Sequence, residues 1–304
     1  MTHVQILMAS YDGGAFVGAQ LDSFLAQTHD DWSLVVSDDG SRDDTRALVE
    51  AFRDTHRDRD IALVEGPRRG AADNFLSLAA AARPGSAVAF ADQDDVWMPQ
   101  KLERAMASFA AGIDVHTGRT ILAGPALIPL GESPMPPRGT SFGNALVQNV
   151  VAGNMLVLSP GAAERIAPTI AAARAAAVPF HDWWFYLAAS GMGLEIHYDD
   201  VPGLHYRQHH RNVLGSHRGM PARLQRLRLL ISGTYAGWLG RNAAALSANR
   251  GHLTRDAAET FARFEALRKG RAPRRRGALP AIGVVRQNAT EDRLLDWLLR
   301  TGRL

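Results

Sequence analysis

The chain has no cysteine among its 304 residues, and that absence excludes a disulfide-stapled scaffold. With 46% apolar residues it also lacks the polarity of a disordered chain and the glycine repeat of a collagen. One large or two modest globular domains are expected. Met1 to Ala9 has neither a basic stretch ahead of an apolar run nor a small-residue cleavage site, so a cytoplasmic chain is expected. A run long and apolar enough to cross a membrane is missing as well. The longest uncharged stretch, Gly139 to Ala163, contains Asn144, Gln148, Asn149, Asn154 and Pro160, and reads as buried sheet and loop.

Net charge is small, at +3, because two unlike parts cancel. Residues 1 to 200 hold 14 basic and 25 acidic side chains, a net −11, whereas residues 201 to 304 hold 20 and 6, a net +14. Attraction to an anionic surface is therefore expected only of the last third.

What the sequence does contain is a repeated alternation. Val4 to Ala9, Leu34 to Val36, Ile61 to Val64 and Ala87 to Ala91 are short apolar runs, each followed by a polar cluster and then by apolar residues at helical spacing. Ser41 with Asp44 three residues on resembles a helix cap, and Pro99 suits a first helical turn. Four such units in about a hundred residues predict an α/β fold with a mostly parallel central sheet and flanking helices. Ligands of such folds sit beyond the carboxyl ends of the strands. The clusters Ser10 to Gly14, Asp38 to Ser41 and Asp92 to Asp95 all fall there, so folding should gather them around one crevice. Phe142 to Leu158 is expected to be mixed sheet, and the chain from Met220 onward helical, with a basic linker at Lys269 to Pro280.

Asp92-Gln93-Asp94 at a strand end suits Mg²⁺ or Mn²⁺ held together with a diphosphate, because hard carboxylate oxygens leave such ions open positions. Read alone, the same residues make a solvated loop capping the next helix. Asp38 could accept a hydrogen bond from the imide N–H of uracil or thymine; read alone, Asp38 to Ser41 is a turn. Six of the eleven histidines lie between His181 and His217, but no pair has the helical spacing with a glutamate that a zinc hydrolase needs.

The order Ser10-Tyr11-Asp12-Gly13, Ser37-Asp38-Asp39-Gly40-Ser41, Phe90-Ala91-Asp92-Gln93-Asp94-Asp95-Val96-Trp97 closely resembles family 2 glycosyltransferases of the GT-A fold. The resemblance continues through Val151-Ala152-Gly153-Asn154-Met155, His181-Asp182-Trp183-Trp184 and Tyr206-Arg207-Gln208-His209, and bacterial rhamnosyltransferase-like members are nearest in pattern. It covers about residues 3 to 215. It implies a GT-A domain over 1–215 followed by a basic helical extension over 216–304.

The resemblance further implies that Ser10, Tyr11, Asp12, Asp38, Arg69 and Asp92 contact the nucleotide, that Asp92, Asp94 and His209 hold Mn²⁺ or Mg²⁺, and that Asp182 is the catalytic base. Asp95, Trp97, Gly153, Asn154, His181, Trp183 and Arg207 would line the acceptor or donor-sugar pocket. The pattern departs from the family at Asp12, where asparagine is usual, and at His210-Arg211, where glycine often follows the histidine. The expected reaction is inverting, metal-dependent transfer of a sugar, with rhamnose favoured, from a uridine or thymidine diphosphate donor to a polysaccharide or lipid-linked acceptor. The alternative is a non-catalytic transferase-like scaffold whose basic tail binds a membrane or another anionic partner. Nucleic acid is not an expected partner, since the tail has few aromatics placed for base stacking. Arginines 223, 226, 228, 271, 274, 275 and 276 are expected to favour peripheral contact with an anionic membrane.

Overall fold

The computed structural model describes residues 2–209 and 232–304. The chain runs β1 (Val4–Ser10), α1 (Val17–Leu25), β2 (Trp32–Asp38), α2 (Thr45–Thr55), β3 (Ile61–Glu65), α3 (Ala71–Ala80), β4 (Ala87–Asp92), β5 (Val96–Trp97) and α4 (Lys101–Ala110). It continues with β6 (Val115–Gly118), β7 (Ile121–Ala123), β8 (Pro129–Glu132), α5 (Phe142–Ala145), β9 (Val157–Leu158), α6 (Pro160–Ile166), α7 (Ile170–Ala175), α8 (His181–Gly191), β10 (Ile196–Asp199) and β11 (Leu204–Arg207). After the undescribed residues come α9 (Thr234–Ala248), α10 (Arg255–Arg268) and α11 (Ala289–Arg300).

The seven-stranded central sheet has the order β10-β6-β9-β4-β1-β2-β3. Its β1, β2, β3 and β4 pairings are parallel, and β9 runs antiparallel between β4 and β6. A smaller sheet, β5-β11-β7-β8, stands beside it. Side chains buried on both faces explain why β1 and β4 read as continuous apolar runs rather than alternating ones.

The expected mixed sheet over Phe142 to Leu158 is mostly short helix and turn, with only β9 as strand. The uncharged composition of that stretch reflects burial around α8, whose residues Trp184, Phe185 and Leu187 are inaccessible. The cap expected from Ser41 is absent: Asp44 precedes α2 without capping it, and the Ser41 hydroxyl is committed elsewhere.

The C-terminal helices are part of the core. Tyr235, Leu239 and Leu246 of α9, Phe261 and Phe264 of α10, and Leu295, Leu298 and Leu299 of α11 join one apolar cluster with α8 and with Phe90 of β4. Tyr235 donates to Val147 O at 2.6 Å, and Arg286 donates to Val147 O and to the Tyr235 hydroxyl. The backbone of α5 lies so close to the loop before α11 that a Cβ on Gly143 would stand 2.0 Å from Gly283 O. The described helices after residue 231 thus share one apolar core with residues before 210. Arg223, Arg226, Arg228, His210, Arg211, His217 and the boundary at 215/216 lie outside the described residues.

Phe264 is 1% exposed, so Phe264→Ala is expected to cost about 3–5 kcal/mol of stability. Urea unfolding should register that loss as an earlier midpoint in both tryptophan fluorescence and far-UV dichroism.

Candidate active site

Register brings the polar clusters together. Ser10 is paired with Asp38, and Ala9 with Asp92, so the ends of β2, β1 and β4 stand side by side. The loops beyond them are cross-tied: Tyr11 N donates to Gln93 Oε1 and Gln93 Nε2 to Tyr11 O, both at 2.9 Å. Asp12, at φ 47°, donates its N–H to Ser41 Oγ and accepts from Arg42 N. Gly13 N reaches Thr45 Oγ1 at 2.8 Å. The resulting crevice encloses about 1710 Å³ and is lined by Ser10, Tyr11, Asp12, Arg69, Asp92, Asp94, Gly153, Asn154, His181, Asp182 and His209, among others.

Asp38 is placed differently from expectation. It is fully buried, and its oxygens accept from Ser10 Oγ, Gly40 N, Ser41 N and Ser41 Oγ at 2.5–3.2 Å. Burial alone would raise its pKa, but these donors outweigh burial and hold it below the usual range. The carboxylate that borders the crevice is Asp39, which also accepts from Arg68 N and Gly70 N across the gap to the β3–α3 loop. The sequence signal for this was available: Ser37 and Asp38 continue the buried run of β2, so Asp39 is the first residue beyond it.

Asp92, Asp94 and Asp95 bring carboxylate oxygens within 4.8 Å of one another. Their environments differ. Burial, with Asp94 and Asp182 nearby, pushes Asp92 up to about 7 against the opposing pull of Lys101. Asp94 Oδ2 lies 2.7 Å from His209 Nε2, and the His209 ring stacks on Phe16 at 4.8 Å. Asp95 is turned away, taking Asn154 Nδ2 at 2.6 Å and Arg207 N at 3.2 Å, and burial drives its carboxyl far above the ordinary range. Asp92 and Asp94 thus offer two carboxylates to the crevice, with the His209 imidazole beside Asp94, and hard oxygen donors of this kind fit Mn²⁺ or Mg²⁺.

Three further residues expected in the pocket stand behind its wall. Trp97 is 2% exposed and packs on Phe24, with the Lys101 ammonium 3.3 Å from its ring centre. Trp183 is buried and donates to Ala145 O at 2.7 Å. Arg207 donates to Asp94 O and Pro125 O and lies over the Phe16 ring. Like Asp95, they support the crevice rather than line it, because each has its polar atoms bound to the backbone or packed in the core.

Asp182 occupies the first turn of α8 on the other side of the crevice. Its oxygens accept from Trp183 N at 2.7 Å and Gly153 N at 3.2 Å. Burial raises its pKa to about 6, opposed by the Trp183, Asn149 and Gly153 donors. His181 stacks on Phe75 at 4.0 Å, and burial pushes it down to about 3, which keeps the ring neutral. Its buried Nε2 has no hydrogen-bond partner among the described residues. A Cβ on Gly153 would stand 2.7 Å from that nitrogen, so glycine is what lets the two segments meet.

Sequence reasoning did not find the rest of the wall. Trp238 and Arg241 of α9 line it, and Trp238 packs edge-on against Phe180 at 5.1 Å, two residues from Asp182. Asn288, which caps α11, and Glu291 in its first turn line it too. No local pattern could have announced these, since they arrive by tertiary packing from distant parts of the chain.

With this geometry in view, the relatives are informative. Residues 5–151 match the model described as glycosyl transferase family 2. The chain is 36% identical over 100 residues, 33% of its length and 38% of the relative's, to the UDP-Glc:alpha-D-GlcNAc-diphosphoundecaprenol beta-1,3-glucosyltransferase WfgD of Escherichia coli. It is 26% identical over 249 residues, 79% of its length and 84% of the relative's, to the dTDP-rhamnosyl transferase RfbG of Shigella flexneri. For three of the curated relatives it matches, the chain spans only 32% to 40% of their length. Its fold is similar to that of the mannosyltransferase PcManGT of Pyrobaculum calidifontis, solved with GDP-Man and Mn²⁺, at a TM-score of 0.54 and 17% identity over 99% of this chain and 87% of that one. The fold is thus GT-A, and residues 5–151 are a domain of glycosyl transferase family 2.

Proposed function

We propose that the chain is an inverting, metal-dependent glycosyltransferase that moves a sugar from a nucleoside diphosphate to a hydroxyl of a glycan or lipid-linked acceptor. The observation that carries this reading is the arrangement of carboxylates across one crevice: Asp92 and Asp94 with His209 on its floor, and Asp182 facing them close enough to raise Asp92. Asp92, Asp94 and His209 would hold Mn²⁺ or Mg²⁺, which supplies positive charge to the diphosphate oxygens as the bond to the sugar breaks. That counter-charge matters in a crevice whose own side chains are acidic.

Asp182 takes the proton from the acceptor hydroxyl as its oxygen attacks the anomeric carbon from the opposite face. A carboxylate accepting two backbone N–H groups is fixed in orientation, and its raised pKa makes it a stronger base while leaving it ionised at neutral pH. Asp39, with Ser10, Tyr11 and Arg69, borders the nucleotide side, and we assign it the contact with the base that the sequence suggested for Asp38. The donor favoured by similarity to the Shigella protein is a thymidine diphosphate rhamnose. No described helix is long and apolar enough to cross a membrane. The exposed arginines 271, 275 and 276 suit peripheral contact with anionic lipid near a lipid-linked acceptor.

Asp94→Ala is expected to abolish turnover and the Mn²⁺ dependence of nucleotide binding, read by calorimetry with UDP and TDP; binding that ignores both metal and mutation would sink the mechanism. Asp182→Asn should slow transfer about 100- to 10,000-fold with nucleotide affinity unchanged. In the wild type, kcat/KM should fall about tenfold per pH unit below about 6, because protonation removes the base. The two neighbouring aspartates should separate cleanly. Asp38→Ala strands four buried or half-buried donors and is expected to cost about 3 kcal/mol or more of stability. Asp39→Asn should keep its melting temperature within a few degrees and weaken nucleotide binding.

A further inference from the structure

At the edge of the central sheet, β6 and β10 place three other metal-binding side chains together. His116 and His197 are register partners on these parallel strands, and Asp199, two residues along β10 from His197, points to the same face. One ligand atom from each lies within 4.8 Å of the others. None of them belongs to the crevice lining.

The surroundings hold the three as ligands are held. His116 is 2% exposed, its Nδ1 lies 3.2 Å from Ser108 Oγ, and its Nε2 is left facing Asp199 Oδ2 at 3.7 Å. That separation is too long for a hydrogen bond, yet it approaches the roughly 3.3 Å between two ligands that each sit about 2.0 Å from a tetrahedral ion. Asp199 accepts from Arg104 Nε at 2.7 Å and Nη2 at 2.6 Å, and from Val201 N at 3.0 Å. Those donors load Oδ1 twice and Oδ2 once, leaving Oδ2 a lone pair. The His197 ring lies 5.6 Å from that of His116 and is exposed, which gives an ion a way in and room for a water as fourth ligand.

We propose that His116, His197 and Asp199 form a structural site for a divalent transition metal of the zinc class, distinct from the hard-ion site of the crevice. Imidazole nitrogen with a single carboxylate selects such ions over Mg²⁺. The bound ion would pin β10, an edge strand of only four residues, to β6. Because β10 leads through a short turn into β11, it would also brace the strand that carries Arg207 toward His209.

The test uses Co²⁺ as a spectroscopic probe and Zn²⁺ as a stability probe, on the full chain carrying Asp94→Ala and in excess Mg²⁺, so that the crevice does not contribute. One equivalent of Co²⁺ with the visible bands of tetrahedral coordination is expected, and Zn²⁺ should raise Tm by a few degrees. Adding His197→Ala, an exposed substitution that leaves the metal-free Tm in place, should remove the bands and weaken Co²⁺ binding about 100-fold or more. Absence of the bands before that substitution, or bands and affinity unchanged after it, would overturn the assignment. Failure of sugar transfer has no bearing on either readout.

Discussion

Three carboxylates confined within 4.8 Å of one another repel, and much of the molecule around the crevice is arranged to make that confinement tolerable. Lys101, one of only two lysines in the chain, is buried beneath them, with its ammonium on Asn154 O and over the Trp97 ring. Burial depresses its pKa strongly while Asp95 and Asp92 pull the other way. Asp95 gives up its oxygens to Asn154 and the backbone of β11, which ties the small sheet to the end of β4. The residues that seemed from their motifs to be pocket walls are therefore the supports that hold two carboxylates, not three, toward the ligand.

The first half of the fold was legible because its signals are local. Each apolar run has strand length, each polar cluster sits at its end, and parallel pairing alone is enough to align Ser10, Asp38 and Asp92. Side-chain direction within a cluster was less legible. Asp38 and Asp39 are chemically identical, and what separates them is that one lies inside the sheet and is surrounded by donors from two loops. Trp97 and Trp183 were misplaced for the same reason: a tryptophan beside an acidic motif can face a sugar or back the strand, and only the packing decides. His209 was found through its motif, whereas Trp238 and Arg241 have no motif and reach the crevice through burial of the other face of α9.

The charge asymmetry of the chain is not a division into two independent bodies. The arginine-rich last third supplies Phe261, Phe264 and Leu298 to the core that contains Trp184 and Phe185, and Arg286 is spent on internal contacts with Val147, Tyr235 and Glu291. Its positive charge lies in part on the surface that closes one side of an acidic crevice. Among the described residues, Arg241 is the arginine of that third that lines the crevice.

The antiparallel course of β9 has a consequence for how the crevice can change. Strands β1, β2 and β4 contribute the segments by which the chain leaves the sheet, while β9 contributes the segment by which it enters, Gly153 to Met155. Departing and arriving backbone thus stand at one edge, and the arriving backbone turns an N–H toward Asp182. Residues 9 to 94 build much of one side of the crevice and residues from 120 onward the other, with His209 of the second set reaching across to Asp94. Exchanges in the second set that spare these ties leave the parallel pairings of β1, β2, β3 and β4 as they are, so one side of the crevice can be remodelled while the other keeps its register.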